Sequence, residues 1–146
     1  MGEMSLRRTF AAAAVVAALV VSLASCGNSE KRQNVRPPAP GVPTEITEIS
    51  GIYRSVHQGV LQLRATGDFI MIIPDGVGAT SGSFALDDGT VLVSTKNCGT
   101  DIGTYKLKVT GEQAPGKAAL VFEAVQDPCQ ERSRYLTVDP WVYAVS

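Results

Sequence analysis

Three thiols, one imidazole and one pair of adjacent carboxylates are the side chains of this 146-residue chain best suited to covalent or metal chemistry: Cys26, Cys98, Cys129, His57, and Asp87 with Asp88. A closed zinc centre takes four Cys or His ligands, and a single histidine with scattered cysteines falls short of that. No Cys-x-x-Cys pair is present, the arrangement that thiol–disulfide chemistry favours. A Ser-His-Asp relay would have to use His57, which lies in Ser55-Val56-His57-Gln58-Gly59. That stretch has no G-x-S-x-G elbow and reads as a hairpin tip. Asp87-Asp88-Gly89 is ordinary turn chemistry, and neighbouring strand-end carboxylates point apart. No phosphate loop or dinucleotide fingerprint occurs. The sequence therefore predicts no enzyme, no metal and no cofactor, and leaves the cysteines to anchor and to staple.

The setting of Cys26 gives its task. Arg7 and Arg8 precede an uncharged apolar run over residues 9–23, and the small residues Ala24 and Ser25 follow. This is the order of a secretory signal peptide. The run of about 15 residues is short of the roughly 20 that span a bilayer as a helix. Leu23-Ala24-Ser25-Cys26 resembles a bacterial lipobox. The resemblance implies cleavage before Cys26, a diacylglyceryl group on its sulfur and acylation of the new amino terminus. Two or three acyl chains suffice for stable anchoring, where one is marginal. The expected organisation is a leader over 1–25, a lipidated tether over 26–44 and one domain over 45–146, held on the extracytoplasmic face of a cell membrane.

Without residues 1–25 the chain's 13 basic and 14 acidic residues become 11 and 13, a formal charge of −2. That gives no basic footprint for nucleic acid, nor a polybasic grip on anionic lipid. Residues 27–44 hold Pro37, Pro38, Pro40 and Pro43 and few large apolar side chains. Such a segment buries too little to offset its ordering entropy. It reads as a semi-extended tether reaching roughly 50 Å at about 3 Å per residue.

An exported domain with two remaining cysteines calls most simply for a Cys98–Cys129 disulfide. Its loop of about 30 residues is worth roughly 3 to 4 kcal/mol by the loop-closure argument, large beside a total of about 5 to 15.

The domain itself reads as strands over residues 49–56, 60–65, 69–73, 81–86, 90–95, 105–110, 118–125, 135–138 and 141–145, with turn signals every 8 to 12 residues or so. No helical period with caps stands out. Tyr105, Leu107 and Val109 alternate with Lys106 and Lys108, and Leu61 and Leu63 flank Gln62, giving one buried and one wet face. Residues 69–73 are apolar on both faces, so the tether or the last strand is expected to cover them outside. Short connections between about eight strands predict an all-β fold, a single antiparallel up-and-down barrel. Closure removes its edges, and its interior is filled or holds one small ligand.

Gly51-Ile52-Tyr53 is similar to the Gly-x-aromatic opening of calycins, the lipocalin-like barrels. Gly103-x-Tyr105, Leu120-x-Phe122 and Asp127-x-Cys129-x-x-Arg132 resemble secreted bacterial lipocalin-like domains. The resemblance implies that Tyr53 packs against Arg132 or Arg134 to close the barrel. It also implies an interior ligand, small and apolar or amphipathic, with Leu61, Leu63, Tyr105, Leu107, Val109, Leu120 and Phe122 as candidate lining. Ala65, Ala85, Ala118 and Ala124 would leave room for it. Trp141 and Tyr143 are expected in the core or closure. Loops after odd strands are the longer ones, so the mouth is expected there, facing away from the membrane, with Gly76-Val77-Gly78 as lid. The alternative is a filled core whose outer surface binds an envelope protein partner.

Overall fold

The structure is a computed structural model that describes residues 36–74 and 78–144. The expected leader, Cys26 and the first part of the expected tether lie outside the described residues, as do Gly76 and Val77 of the expected lid.

Eight strands follow in chain order: β1 (Gly51–Ser55), β2 (Gly59–Leu63), β3 (Asp68–Ile73), β4 (Gly78–Asp87), β5 (Thr90–Thr95), β6 (Ile102–Thr110), β7 (Ala119–Gln126) and β8 (Trp141–Tyr143). Each pairs antiparallel with the next, and β8 pairs back onto β1 with Tyr53 opposite Tyr143. The result is the closed up-and-down antiparallel barrel that the strand pattern predicts. The Asp87-Asp88-Gly89 signal makes the β4–β5 hairpin, with Asp88 at φ 43 and Gly89 at φ 73, the positive pair of a primed turn.

Alternation sorts the side chains. All seven predicted interior residues are buried, none more than 4 % exposed. Tyr53, Phe69, Met71, Phe84, Val91, Val93, Trp141 and Tyr143 join them, so every strand sends large side chains inward. Their rings touch in a chain: Phe69 to Phe84 at 4.7 Å between centroids, Phe84 to Phe122 at 5.9 Å and Tyr105 to Phe122 at 6.2 Å. Of the alanines expected to leave room, Ala85 and Ala124 are exposed and Ala65 is half-buried in a turn; Ala118 alone of the four is buried.

Three expectations need correction. Residues 135–138 are not a strand: a helix, α1 (Gln130–Thr137), leads into β8. Its two buried residues are Arg132 and Leu136, so its inward face carries a charge and shows no apolar period. The tether's described part, residues 36–44, does not stand free but runs against the end of β6. Among the described residues neither the tether nor β8 covers the outer face of β3: Ile70 is half-buried and Ile72 is exposed.

The strand ends define two poles. The base, where the chain enters β1, carries a single 3-10 turn over Ile46–Glu48 whose N-terminal end is capped by Glu48, its carboxylate accepting the Thr44 N–H at 2.9 Å and the Glu45 N–H at 3.5 Å. Beside it Ile49 is fully buried, and the Tyr53 hydroxyl donates to the Ile49 carbonyl at 2.6 Å. The loop end lies after the odd strands and holds α1 and the disulfide.

Candidate functional site

The loop end gathers most of the polar side chains that the sequence marks for attention. Two groups form there, one sealed and one open to solvent.

The sealed group is built where β6 starts, β7 ends and α1 begins. Arg132, on the first turn of α1, is 1 % exposed. Its Nε and Nη2 donate to the two oxygens of Asp127 at 2.8 and 2.6 Å, and its Nη1 donates to the Asp101 carbonyl at 2.8 Å. The Asp127 carboxylate also accepts the Cys129 backbone N–H at 2.7 Å and a short hydrogen bond from the Tyr105 hydroxyl. A fork-to-fork pair of this kind is the strong form of the ion pair. Burial alone would raise the Asp127 pKa. The Arg132 and Tyr105 hydrogen bonds and the Cys129 N–H outweigh it and hold the carboxyl below the usual carboxylate range. Burial, then the Asp127 bond, pushes the Tyr105 phenol far above its ordinary value. Gly103 makes the room: a Cβ there would run into the Asp127 carboxylate and come within 2.8 Å of the Tyr105 ring.

The predicted disulfide sits beside this knot. Cys98 ends a 3-10 turn over Lys96–Cys98 after β5, Cys129 is the N-cap of α1, and their Cα atoms are 5.9 Å apart. Knot and disulfide together pin the start of α1 over the barrel end.

The closing pair implied by the calycin resemblance is arranged differently. Tyr53 donates its hydroxyl toward the base and meets Tyr143 edge-on at 5.5 Å. Arg132 serves the loop end and pairs with Asp127 and Tyr105. Arg134 lies over the Tyr135 ring at 5.8 Å. The two poles have separate closures because the Tyr53 hydroxyl and the Arg132 guanidinium are spent at opposite ends.

The open group joins the β1–β2 turn to the residues after α1. His57 Nδ1 lies 2.9 Å from Asp139 Oδ2, and the Ser55 hydroxyl donates to the same oxygen at 3.3 Å. The Gln58 N–H donates to Ser55 Oγ at 3.2 Å. These are the residue types of a hydrolytic relay in the wrong order. Serine and imidazole both meet the carboxylate, so no imidazole stands ready to take the serine proton. What the arrangement does is fasten the end of α1 to β1, next to the short β8. Asp139 carried no sequence signal, since its role depends on the helix that brings the chain back over the barrel.

Around these groups the loop end has an apolar rim. Val56 is 88 % exposed, and Ile72, Ile102, Val125 and Val138 also stand out in solvent at strand ends or in loops of this pole. Among the described residues only Val42 at the base and Leu92 within β5 are further large apolar side chains so exposed.

Comparison with family models, with curated proteins and with solved structures found no match. No group of three or more metal-ligating side chains occurs among the described residues.

Proposed function

We propose that this protein is an exported, lipid-anchored binding module, held to the membrane through Cys26, whose barrel is a filled scaffold. Its contact surface is the apolar rim of the loop end, and its partner is a protein of the cell envelope. The observation that carries the reading is the interior: large side chains from all eight strands occupy it, with the aromatic rings in contact. Scattered exposed apolar residues are normal on a protein surface, but a grouping at one pole marks an interaction site. The lipobox resemblance supports the anchor, and with the tether entering at the base the rim would face away from the bilayer.

The test is photocrosslinking in the intact envelope, from a reactive residue placed at position 56 or 138 and, as control, at position 88 beside the base. Adducts with one defined protein from 56 and 138, and none from 88, are expected. Equal adducts from all three positions, or none, would overturn the rim as the contact surface.

A second reading keeps the ligand carrier, for which a closed eight-stranded barrel has the right form. It is favoured by the Thr95 Oγ1 and Trp141 Nε1 atoms, which are buried without a hydrogen-bond partner. A small amphipathic guest with a polar head would satisfy such atoms.

A further inference from the structure

The other pole holds a groove with its occupant in place. β5 starts at Thr90 opposite Lys106, while β6 continues to Thr110. The last residues of β6 therefore have no neighbour from β5, and the backbone of Val109 is left to find another partner. Residues 36–44, RPPAPGVPT, supply it. The Gly41 N–H donates to the Val109 carbonyl at 2.9 Å and the Val109 N–H to the Gly41 carbonyl at 2.7 Å, an antiparallel bridge. The Gly89 N–H donates to the Pro43 carbonyl at 3.1 Å, and Gln113 Nε2 to the Pro37 carbonyl at 3.0 Å.

The contacts read particular features of the segment. Pro38 and Pro43 are buried, while Ala39, Pro40, Gly41 and Val42 between them are exposed. Proline fixes an extended backbone and costs little further ordering. It has no N–H to satisfy, and here the prolines contribute carbonyls only. Gly41 has φ +136, a conformation that side-chain-bearing residues rarely adopt. The groove thus reads three acceptors, the carbonyls of Pro37, Gly41 and Pro43, and one donor, the Gly41 N–H, from an extended chain with that glycine between two buried prolines. This is peptide recognition by strand addition. A cleft of about 600 Å³ along the segment, with Thr47, Glu48, Ser50 and Gln113 in its walls, leaves the attachment open on one side.

We propose that the base of the barrel is a peptide-binding groove for extended, proline-flanked segments, filled in cis by residues 36–44 and open to exchange with the same segment of a second copy. The groove is at the opposite pole from the apolar rim and stands whether or not the rim is a contact surface. The cis segment competes at the high effective concentration of a short linkage, in the millimolar range for flexible linkers. An external peptide therefore enters readily only where the cis segment is weakened.

The experiment uses the full mature chain with Cys26→Ser, which removes the lipid site, alone and with Pro38→Ser and Pro43→Ser added. The probe is a fluorescent synthetic peptide of residues 35–45, followed by anisotropy. The weakened chain should bind the probe at least about 10-fold more tightly than the chain with its own prolines, and a probe carrying Gly41→Val should bind neither. Equal binding to both chains, or no binding to either at millimolar probe, would overturn the proposal. Should the double variant not fold, the chain with its own prolines decides. Excess unlabelled peptide should release the cis segment and shift the amide resonance of its Gly41, while those of α1 stay in place; an unmoved Gly41 resonance would count against exchange.

Discussion

At the base the barrel is sealed by an apolar plug and by backbone. Ile49 is fully buried, Tyr53 reaches back to its carbonyl, and residues 36–44 bridge to Val109. At the loop end the seal is a covalent bond and a buried ion pair, Cys98–Cys129 and Arg132–Asp127. The inward positions near that pole are small or polar, among them Gly103, Ser55, Thr80 and Thr95. Small inward residues leave space, and a long polar group from α1 fills it. A buried charge needs a full set of partners to be tolerated, which Arg132 and Asp127 give each other. One barrel is thus stapled by the hydrophobic effect at one pole and by chemistry sensitive to reductant and acid at the other.

The largest loss at the loop end comes from orphaning one ion. Arg132→Met leaves Asp127 buried and unpaired and should cost about 3 to 5 kcal/mol in urea unfolding. A loss under about 1 kcal/mol would mean the knot does not close the pole. Next is the disulfide: Cys98→Ser with Cys129→Ser should cost about 3 to 4 kcal/mol for a sequence separation of 31 residues. Amide exchange should show α1 loosening first while Val109 at the base stays protected; uniform loosening would erase the distinction between the poles.

Ile49→Ala attacks the base instead and should cost about 3 kcal/mol, with no added sensitivity to reductant. Acid gives a smaller effect, confined to the loop end. The Asp127 pKa is lower folded than unfolded, so its contribution is fully present above the unfolded value of about 3.9 and drains away as pH falls through the folded value. Unfolding of the Asp127→Asn variant should therefore depend less on pH below about 4 than that of the parent; equal slopes would assign acid sensitivity elsewhere. Smallest is His57→Ala. The side chain is 70 % exposed, and loss of its pairing with Asp139 should cost under about 1 kcal/mol.

The sequence made some of this legible and hid the rest for physical reasons. Period-two alternation in Tyr105, Leu107 and Val109 placed the interior, because one face of each strand is buried and the other wet. The Asp-Gly turn was readable because only certain residues accept positive φ. The Cys98–Cys129 pairing was readable from number and spacing. Helix α1 was hidden because its buried residues are an arginine and one leucine. The Arg132–Asp127–Tyr105 knot was hidden in part, since its residues lay in a recognised pattern but their partners are set by the helix. Docking of residues 36–44 was hidden because it uses backbone and proline rings, which carry no apolar period.

The most direct test of the filled scaffold is native mass spectrometry of the protein, before and after denaturation and with apolar ligands titrated in. A filled scaffold shows the mass of the polypeptide with whatever is covalently attached to it, unchanged by denaturation and by added fatty acids. An additional mass that denaturation releases would contradict it, and would return the barrel to the ligand carriers.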